Sequence, residues 1–219
     1  MSTMKKFIVV AGNIGAGKTT LVNLLSRKLN WQPFIEPESQ NPYLSEFYAD
    51  MPTWAFHSQI FFLSHRLKMH NQLAHMSESV IQDRSVYEDA EIFARNLFLQ
   101  GHLPERDFQT YCDLYKTLLE FLPAPDLVVY LKASVPILQH RISRRNRDYE
   151  KSMPQEYLEQ LNLLYERWIQ EFAYCPVLTI PADNLDYVAR TDHLDLIARK
   201  VQEKLTGQEL VVFSPEEIN

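Results

Sequence analysis

The segment from residue 12 to residue 20 has residue types and spacing that suit phosphate binding. It matches the pattern G-x-x-x-x-G-K-[ST], with an apolar strand-like run before it and a helical pattern after it. Glycines let the backbone curl so that successive N–H groups point at phosphate oxygens. Lys18 would reach the β- and γ-phosphates of ATP, and Thr19 would ligate Mg²⁺. The predicted ATP-binding residues here are Gly12, Asn13, Ile14, Gly15, Ala16, Gly17, Lys18, Thr19 and Thr20.

A carboxylate and an arginine follow a second apolar run. Residues 79–82 lead into Asp83-Arg84-Ser85, so Asp83 is expected at the C-terminal end of a strand, where open α/β sheets bind ligands. There Asp83 would hold Mg²⁺ or its water shell together with Thr19. The alternative is an aspartate that caps the following helix.

Arginines are concentrated near residue 145, where Arg141, Arg144, Arg145 and Arg147 precede Asp148 and Glu150. Such a run is usually only a solvated helix face. Beside a phosphate-binding loop it predicts a mobile lid of about residues 141–153. The arginines assigned to charge on the γ-phosphoryl group are Arg141, Arg145 and Arg147, and Arg145 is also assigned to ATP binding.

Glu36-Pro37 follows another probable strand, at residues 31–35. A carboxylate there could accept the proton of an acceptor hydroxyl or align that hydroxyl. It could equally be a surface acid before a turn proline. Spacing alone leaves these alternatives open.

Short apolar runs alternate with helical patterns along the chain. The runs at residues 7–11, 31–35, 79–82, 127–131 and 177–180 are separated by helical periodicity, for example at 55–74 and 105–121. Parallel strands need crossovers, so this order predicts an α/β fold in one domain of residues 1–219, with a parallel five-stranded sheet covered by helices on both faces. Residues 207–219 resemble a flexible tail, in which residues 210–213 could add an edge strand.

Composition excludes several classes of protein. The 219 residues carry a net charge of −6, which repels nucleic acid and anionic membranes, so neither is an expected partner. No apolar run approaches the roughly 18 residues of a spanning helix, and no targeting segment is visible, so we expect a cytoplasmic protein. The two cysteines, Cys112 and Cys175, are far apart and support neither a disulfide framework nor a zinc knuckle.

With the glycine-rich segment, Glu36-Pro37, Asp83-Arg84-Ser85 and the arginine-rich lid in this order, the chain resembles the deoxynucleoside kinase family over nearly its whole length. The resemblance implies ATP- and Mg²⁺-dependent phosphorylation of the 5′-hydroxyl of a deoxyribonucleoside in nucleotide salvage. It also implies a homodimer that pairs long helices, for which residues 55–74 and 90–99 are candidates. The Asp83-Arg84-Ser85 form is similar to the bacterial purine enzymes of the family, which favours deoxyadenosine, with deoxyguanosine or deoxycytidine as the other acceptors.

The resemblance also implies roles for single residues. Glu36 would be the base at the 5′-hydroxyl, steadied by Arg84, and Asp186 and Tyr187 would cradle the adenine of ATP. Sugar and base contacts are implied, with Glu36 and Arg84, for Tyr48, Trp54, Gln59, Arg66, Asp89, Phe93 and Glu150.

Three of these residues bear on the choice of base. Arg66 follows Gln59 by seven residues, so the two lie on one face of a predicted helix. Arg66 paired with Asp89 would offer donors and an acceptor to a base edge. A carboxylate accepts from an exocyclic amino group, which thymine lacks, so thymidine is predicted to be a poor substrate.

Two alternatives remain. Thymidylate kinases share the glycine-rich loop, an Asp-Arg pair and a lid, but the Arg-Glu-Pro-Gly-Gly stretch typical of them is absent; the chain reads Ile35-Glu36-Pro37-Glu38-Ser39. A non-catalytic relative that keeps only the fold predicts loss of Lys18, Thr19 or Asp83, and all three are present.

Overall fold

A computed structural model of the protein describes residues 5–35, 40–145 and 154–218. Its strands are β1 (Phe7–Gly12), β2 (Gln32–Phe34), β3 (Val80–Asp83), β4 (Leu127–Lys132) and β5 (Val177–Pro181). They form a parallel sheet in the order β2-β3-β1-β4-β5. The predicted α/β fold with five parallel strands is therefore confirmed.

Helices connect the strands. They are α1 (Lys18–Leu29), α2 (Leu44–Ala49), α3 (Met51–Ala74), α4 (Val86–Glu88), a π-helix (Asp89–Ala94), α5 (Arg95–Leu99), α6 (Glu105–Leu119), α7 (Val135–Arg145), α8 (Gln155–Glu171), α9 (Thr191–Leu205) and α10 (Pro215–Ile218). None of the described helices combines the length and hydropathy needed to cross a membrane.

Each face of the sheet buries its own apolar core. Along β1, Phe7 and Val9 face one core, whereas Ile8 and Val10 face the other. This follows from the two-residue period of a strand. The first core packs mainly under α3, α6 and α8, and the second under α1, α7 and α9. A strand buried on both sides explains why β1 reads as a continuous apolar run.

The sheet also fixes where its carboxyl ends meet. In the registers of β1 with its two neighbours, Val10 lies opposite Asp83 and Gly12 lies opposite Leu131. The loop after β1 and the turn after β3 therefore open at the same edge of the sheet, which is where ligands bind in open α/β folds.

The C-terminal residues differ from the prediction. Residues 210–213 form no strand in the described part of the chain. Val211, Phe213 and Ile218 instead pack against the second core, and Glu217 lies 3.0 Å from both Arg199 Nη2 and Lys200 Nζ. The later part of the predicted flexible tail is thus packed against the second core and α9, whereas residues 207–210 are exposed.

Candidate active site

The glycine-rich loop curls between β1 and α1. Gly12, Gly15 and Gly17 have φ angles of 149°, 82° and 101°, in the region that favours glycine. Lys18 Nζ donates to the carbonyl oxygens of Gly12 at 2.8 Å and Asn13 at 3.0 Å, so the ammonium group lies over the loop. Such a loop at a helix N-terminus is a phosphate-binding arrangement.

Gly15 matters although the motif leaves its position free. A Cβ on Gly15 would lie 2.9 Å from both Leu138 O and Ile142 Cγ1, because α7 packs directly on the loop. The close approach of α7 therefore requires glycine here.

Two oxygen ligands meet beside the loop. Thr19 Oγ1 donates to Asp83 Oδ2 at 2.5 Å. Asp83 does not cap the helix after it, since that capping box is formed by Ser85 and Glu88. A hydroxyl and a carboxylate side by side are hard oxygen ligands that fit Mg²⁺.

A cavity adjoins this edge of the sheet, and six of the predicted substrate residues line it. Those six are Tyr48, Gln59, Arg66, Arg84, Asp89 and Phe93. Six further lining residues were not predicted as substrate contacts, namely Ile14, Leu44, Phe47, Phe62, Leu97 and Tyr157. Ile14 belongs to the glycine-rich loop, so the cavity and the phosphate site share a border.

Arg66 and Asp89 form an ion pair in the cavity wall. Arg66 Nε lies 2.6 Å from Asp89 Oδ2, and both side chains are almost fully buried. Gln59 is buried on the same helix as Arg66, and its Oε1 accepts no hydrogen bond from any described residue. The predicted common face of Gln59 and Arg66 is what brings both to this cavity.

Arg84 has an unusual backbone conformation. Its φ is 66°, which costs a non-glycine residue about 1–2 kcal/mol. The Arg84 N–H donates to Val10 O at 3.0 Å, and the guanidinium carbon lies 4.3 Å from the centre of the Phe93 ring. Strained residues of this kind occur at functional sites, where surrounding contacts hold them.

Trp54 lies outside this cavity. Its ring stacks on Tyr43 at 5.8 Å and also contacts His57 at 5.3 Å. It is not among the residues that line the cavity, and its packing on a base stays a prediction.

The structure describes two of the three arginines assigned to the γ-phosphoryl group, Arg141 and Arg145, and their surroundings differ. Arg141 donates to Ala16 O and to Ala182 O, each at 2.8 Å, so it ties the glycine-rich loop to the residues after β5. Arg141 therefore braces the glycine-rich loop here, and its role at the γ-phosphoryl group stays a prediction. Arg145 is exposed at the end of α7. Glu36, Arg147 and Glu150 lie outside the described residues.

The predicted adenine contacts lie at the other end of the loop. Tyr187 is buried, and its hydroxyl donates to Gly17 O at 3.4 Å. Asp186 is turned into its own loop, where its carboxylate accepts the N–H groups of Ala189 and Val188. The Ala189 N–H lowers the pKa of Asp186 most strongly. Thr20 is exposed on the first turn of α1.

A family model described as "Deoxynucleoside kinase" matches residues 8–206. The chain belongs to the deoxynucleoside kinase family. It is 34% identical to the deoxyadenosine/deoxycytidine kinase of Bacillus subtilis over 196 residues, which cover 89% of this chain and 90% of that protein. It is 37% identical to the deoxyguanosine kinase of the same organism over 202 residues, which cover 90% and 96%. Deoxyadenosine kinase from M. mycoides with bound dATP superimposes with a TM-score of 0.80 at 33% identity, covering 90% and 99%.

Membership confirms the predicted family and the predicted activity class, phosphorylation of a deoxynucleoside. It argues against the thymidylate kinase-like alternative and against a non-catalytic relative.

Several contacts in this kinase were not predicted. Asn13 Nδ2 donates to Asn162 Oδ1 at 2.7 Å and to Leu158 O at 3.0 Å, which joins the glycine-rich loop to α8. Tyr157 enters the cavity from the first turn of α8, and burial raises its pKa to about 12. Glu88 is fully buried beneath the loop. Only Glu88 had a signal in the sequence, because Ser85-x-x-Glu88 has the spacing of a capping box.

Proposed function

We propose that this kinase transfers the γ-phosphate of ATP to the 5′-hydroxyl of a deoxyribonucleoside, with deoxyadenosine as the preferred acceptor, in nucleotide salvage. The main support for the proposal is that the phosphate-binding loop and the cavity adjoin each other. Ile14 of the glycine-rich loop and Arg84 line the cavity, while Asp83, next to Arg84, contacts Thr19. Phosphoryl transfer depends mainly on holding donor and acceptor in line at short distance.

The residues around the loop have separate tasks in this proposal. The loop N–H groups and Lys18 bind the phosphates, and Thr19 and Asp83 hold Mg²⁺. When bound, Mg²⁺ neutralises charge on the phosphate oxygens. Arg84, which lines the cavity, would contact both the acceptor and the transferred phosphoryl group.

Three further residues of the proposal come from segments whose placement is not described. Glu36 would take the proton of the 5′-hydroxyl, Arg147 would neutralise charge on the transferred group together with Arg145, and Glu150 would bind the 3′-hydroxyl with Tyr48. Glu36→Gln keeps the shape of the side chain and removes the base, so kcat should fall by about 10²- to 10⁴-fold. A few-fold fall in kcat with a raised nucleoside KM would assign Glu36 to sugar binding instead.

The cavity wall supports a base that carries an exocyclic amino group. Asp89 can accept from such a group, and the buried Gln59 Oε1 is a second acceptor beside it. Adenine, cytosine and guanine carry an amino group, whereas thymine presents a carbonyl and a methyl group. Adenine is placed first in the proposal because the Asp83-Arg84-Ser85 form resembles the bacterial purine enzymes and relatives named for deoxyadenosine match nearly the full chain. Guanine comes next, because a deoxyguanosine kinase matches over a similar length.

The test is a steady-state assay with Mg-ATP against deoxyadenosine, deoxyguanosine, deoxycytidine, thymidine and thymidine monophosphate. We expect the highest kcat/KM for deoxyadenosine and a value for thymidine lower by about 10²-fold or more. The Lys18→Ala variant provides the background rate. Faster turnover of thymidine monophosphate than of every nucleoside would contradict the proposal, and equal turnover of thymidine and deoxyadenosine would contradict the base assignment.

We further propose that the enzyme is a cytoplasmic homodimer that pairs α3, over residues 55–74, and the helical stretch 90–99 beside the cavity. The 24-residue length of α3 and the exposure of Leu99, at 65%, support a role for these helices in pairing. Light scattering coupled to size exclusion at assay concentrations should give twice the mass of one chain. A single-chain mass for the active enzyme would contradict this part of the proposal.

A further inference from the structure

Glu88 is a fully buried carboxylate that is not among the residues lining the cavity. It has 0% exposure and lies at the C-terminal end of α4. A buried carboxylate is costly unless hydrogen bonds satisfy it. The hydrogen bonds that Glu88 accepts therefore indicate its role in the site.

Each carboxylate oxygen of Glu88 accepts from two donors, and the donors come from three parts of the site. Oε1 accepts from Gly12 N–H at 3.3 Å and from Tyr165 O–H at 2.7 Å. Oε2 accepts from Ser85 N–H at 2.7 Å and from Ser85 O–H at 3.2 Å. One side chain thus joins the glycine-rich loop, the Asp83-Arg84-Ser85 turn and helix α8.

The two backbone donors belong to peptides with a role in the site. Gly12 is the first glycine of the phosphate loop, and its carbonyl oxygen accepts from Lys18 Nζ. The N–H of Ser85 belongs to the peptide that follows Arg84, whose φ of 66° needs support from its surroundings. Glu88 therefore holds the start of the phosphate loop and the end of the strained turn at one point.

Tyr165 completes the arrangement from α8. Burial and the neighbouring Glu88 carboxylate raise the pKa of Tyr165 well above its usual value, so its hydroxyl keeps the proton that it donates. The same helix carries Tyr157 into the cavity. The position of α8 is thus linked to the phosphate loop through Glu88.

We propose that Glu88 is a positioning residue that sets the distance and orientation between the phosphate loop and Arg84. The proposal rests on the phosphoryl transfer proposed above. Glu88 touches neither substrate; it acts through Gly12 and Ser85. Since displacements of about 1 Å cost as much as 10²-fold in rate, its loss should appear in kcat more than in nucleoside binding.

Glu88→Gln is the sharpest single change. A glutamine has one oxygen and one NH₂ group, and either orientation of the amide points the NH₂ group at a backbone N–H, of Gly12 or of Ser85. Backbone donors cannot turn away, so one contact becomes a donor–donor contact in both orientations. We expect kcat to fall by about 10²-fold, with the nucleoside KM changed by less than about threefold.

Loss of folded protein would also lower an apparent kcat, so kcat must be calculated per functional ATP-binding site. Titration with a non-hydrolysable ATP analogue gives the number of ATP-binding sites, and kcat is then expressed per site. A purely structural role for Glu88 would lower the number of sites and leave the rate per site unchanged.

Tyr165→Phe is the second variant, because it removes one donor and keeps the carboxylate. We expect kcat per site to fall by about tenfold. Tyr130→Phe is the matched control, since Tyr130 stacks on Tyr165 at 5.8 Å and its hydroxyl also donates to a glutamate, Glu166, at 3.0 Å. That glutamate lies away from the loop and the turn, so Tyr130→Phe should keep the wild-type rate.

The outcomes separate this inference from the proposed function. A wild-type enzyme that phosphorylates no nucleoside overturns the proposed function and this inference with it. An active wild type, together with Glu88→Gln and Tyr165→Phe variants that keep the rate per site within twofold, overturns the positioning role alone. If Glu88→Gln yields no folded protein, Tyr165→Phe decides: a lower rate per site supports the role, and an unchanged rate overturns it.

Discussion

Arg66 Nε lies 2.6 Å from Asp89 Oδ2 in the wall of the cavity, with the two side chains only 5% and 4% exposed. In an ion pair this deeply buried, each charge compensates the other, because removal of one would leave the other buried without an opposite charge. The pair therefore limits how the cavity can be altered, and in the proposed function it also recognises the base.

Replacing both members together should relax base selection. The double change Arg66→Met and Asp89→Ala removes both charges and opens space for the thymine methyl group. We expect the thymidine to deoxyadenosine ratio of kcat/KM to rise by about tenfold or more, and each single change to do worse and to lower the melting temperature further.

A neighbouring ion pair provides the control for that experiment. Arg95 and Glu91 pair at 3.1 Å on the same helical stretch, and neither lines the cavity. The change Arg95→Met with Glu91→Ala should leave the substrate ratio unchanged. An equal shift in both double variants would show that general loosening, and not the cavity pair, controls the choice of base.

Lys18→Ala tests the phosphate site. The ammonium group lies over the loop, so its loss should reduce kcat by about 10³-fold while the circular dichroism spectrum stays unchanged. Lys132→Ala is the control, because Lys132 ends a neighbouring strand and its half-exposed ion pair with Glu166 should contribute little. Activity of Lys18→Ala within tenfold of the wild type would contradict the assignment of the loop.

Gly15→Ala tests the contact between the phosphate loop and α7. An alanine there has a strained φ of 82° and a Cβ 2.9 Å from the backbone oxygen of Leu138. Gly101→Ala has a similar φ of 74° but meets nothing within 4 Å, so it isolates the cost of the backbone conformation. We expect Gly15→Ala to lower the free energy of unfolding by about 1–3 kcal/mol more than Gly101→Ala does, and to weaken ATP binding. If urea unfolding gave equal losses of unfolding free energy in the two variants, α7 would move away from the added methyl group at no cost in stability.

His70 should make stability depend on pH. Burial lowers the pKa of His70 below its usual value, and Nε2 lies 2.7 Å from Pro123 O, to which neutral imidazole can donate. Below about pH 6.5 the unfolded chain binds a proton that the folded chain resists, so stability is complete above that pH and declines as the pH falls toward the folded pKa.

His70→Gln keeps a donor for Pro123 O without a titrating group. The free energy of unfolding of this variant should fall less steeply between pH 7 and pH 5 than that of the wild type. His75→Gln, at an exposed histidine, should keep the wild-type slope. Identical slopes for all three proteins would rule out His70 as the source of the pH dependence.

The parts of the fold that sequence predicted are those with a local signal. Buried parallel strands read as short apolar runs, and the glycine-rich loop requires both a strand before it and a helix after it. The strand predicted as possible at residues 210–213 does not form, because Val211 and Phe213 instead pack, partly buried, against the second core.

The site contacts that sequence missed depend on distant segments. Tyr165 reaches Glu88 across 77 positions, and Asn162 reaches Asn13 across 149. Periodicity cannot report such pairings, since they depend on how α8 crosses the sheet. Nor could the sequence show that the Trp54 ring packs on Tyr43, so its contact with a base stays a prediction.

The most direct test of the central claim is the identity of the product formed from deoxyadenosine and Mg-ATP, read by phosphorus NMR with proton coupling. A phosphate on the 5′-oxygen couples to the two protons of the 5′-carbon and gives a triplet, whereas one on the 3′-oxygen couples to a single proton and gives a doublet. We expect a triplet that grows together with an equal amount of ADP, and no new nucleotide from 2′,5′-dideoxyadenosine, which lacks the acceptor hydroxyl. A doublet, or ADP formed without a nucleotide product, would contradict the claim.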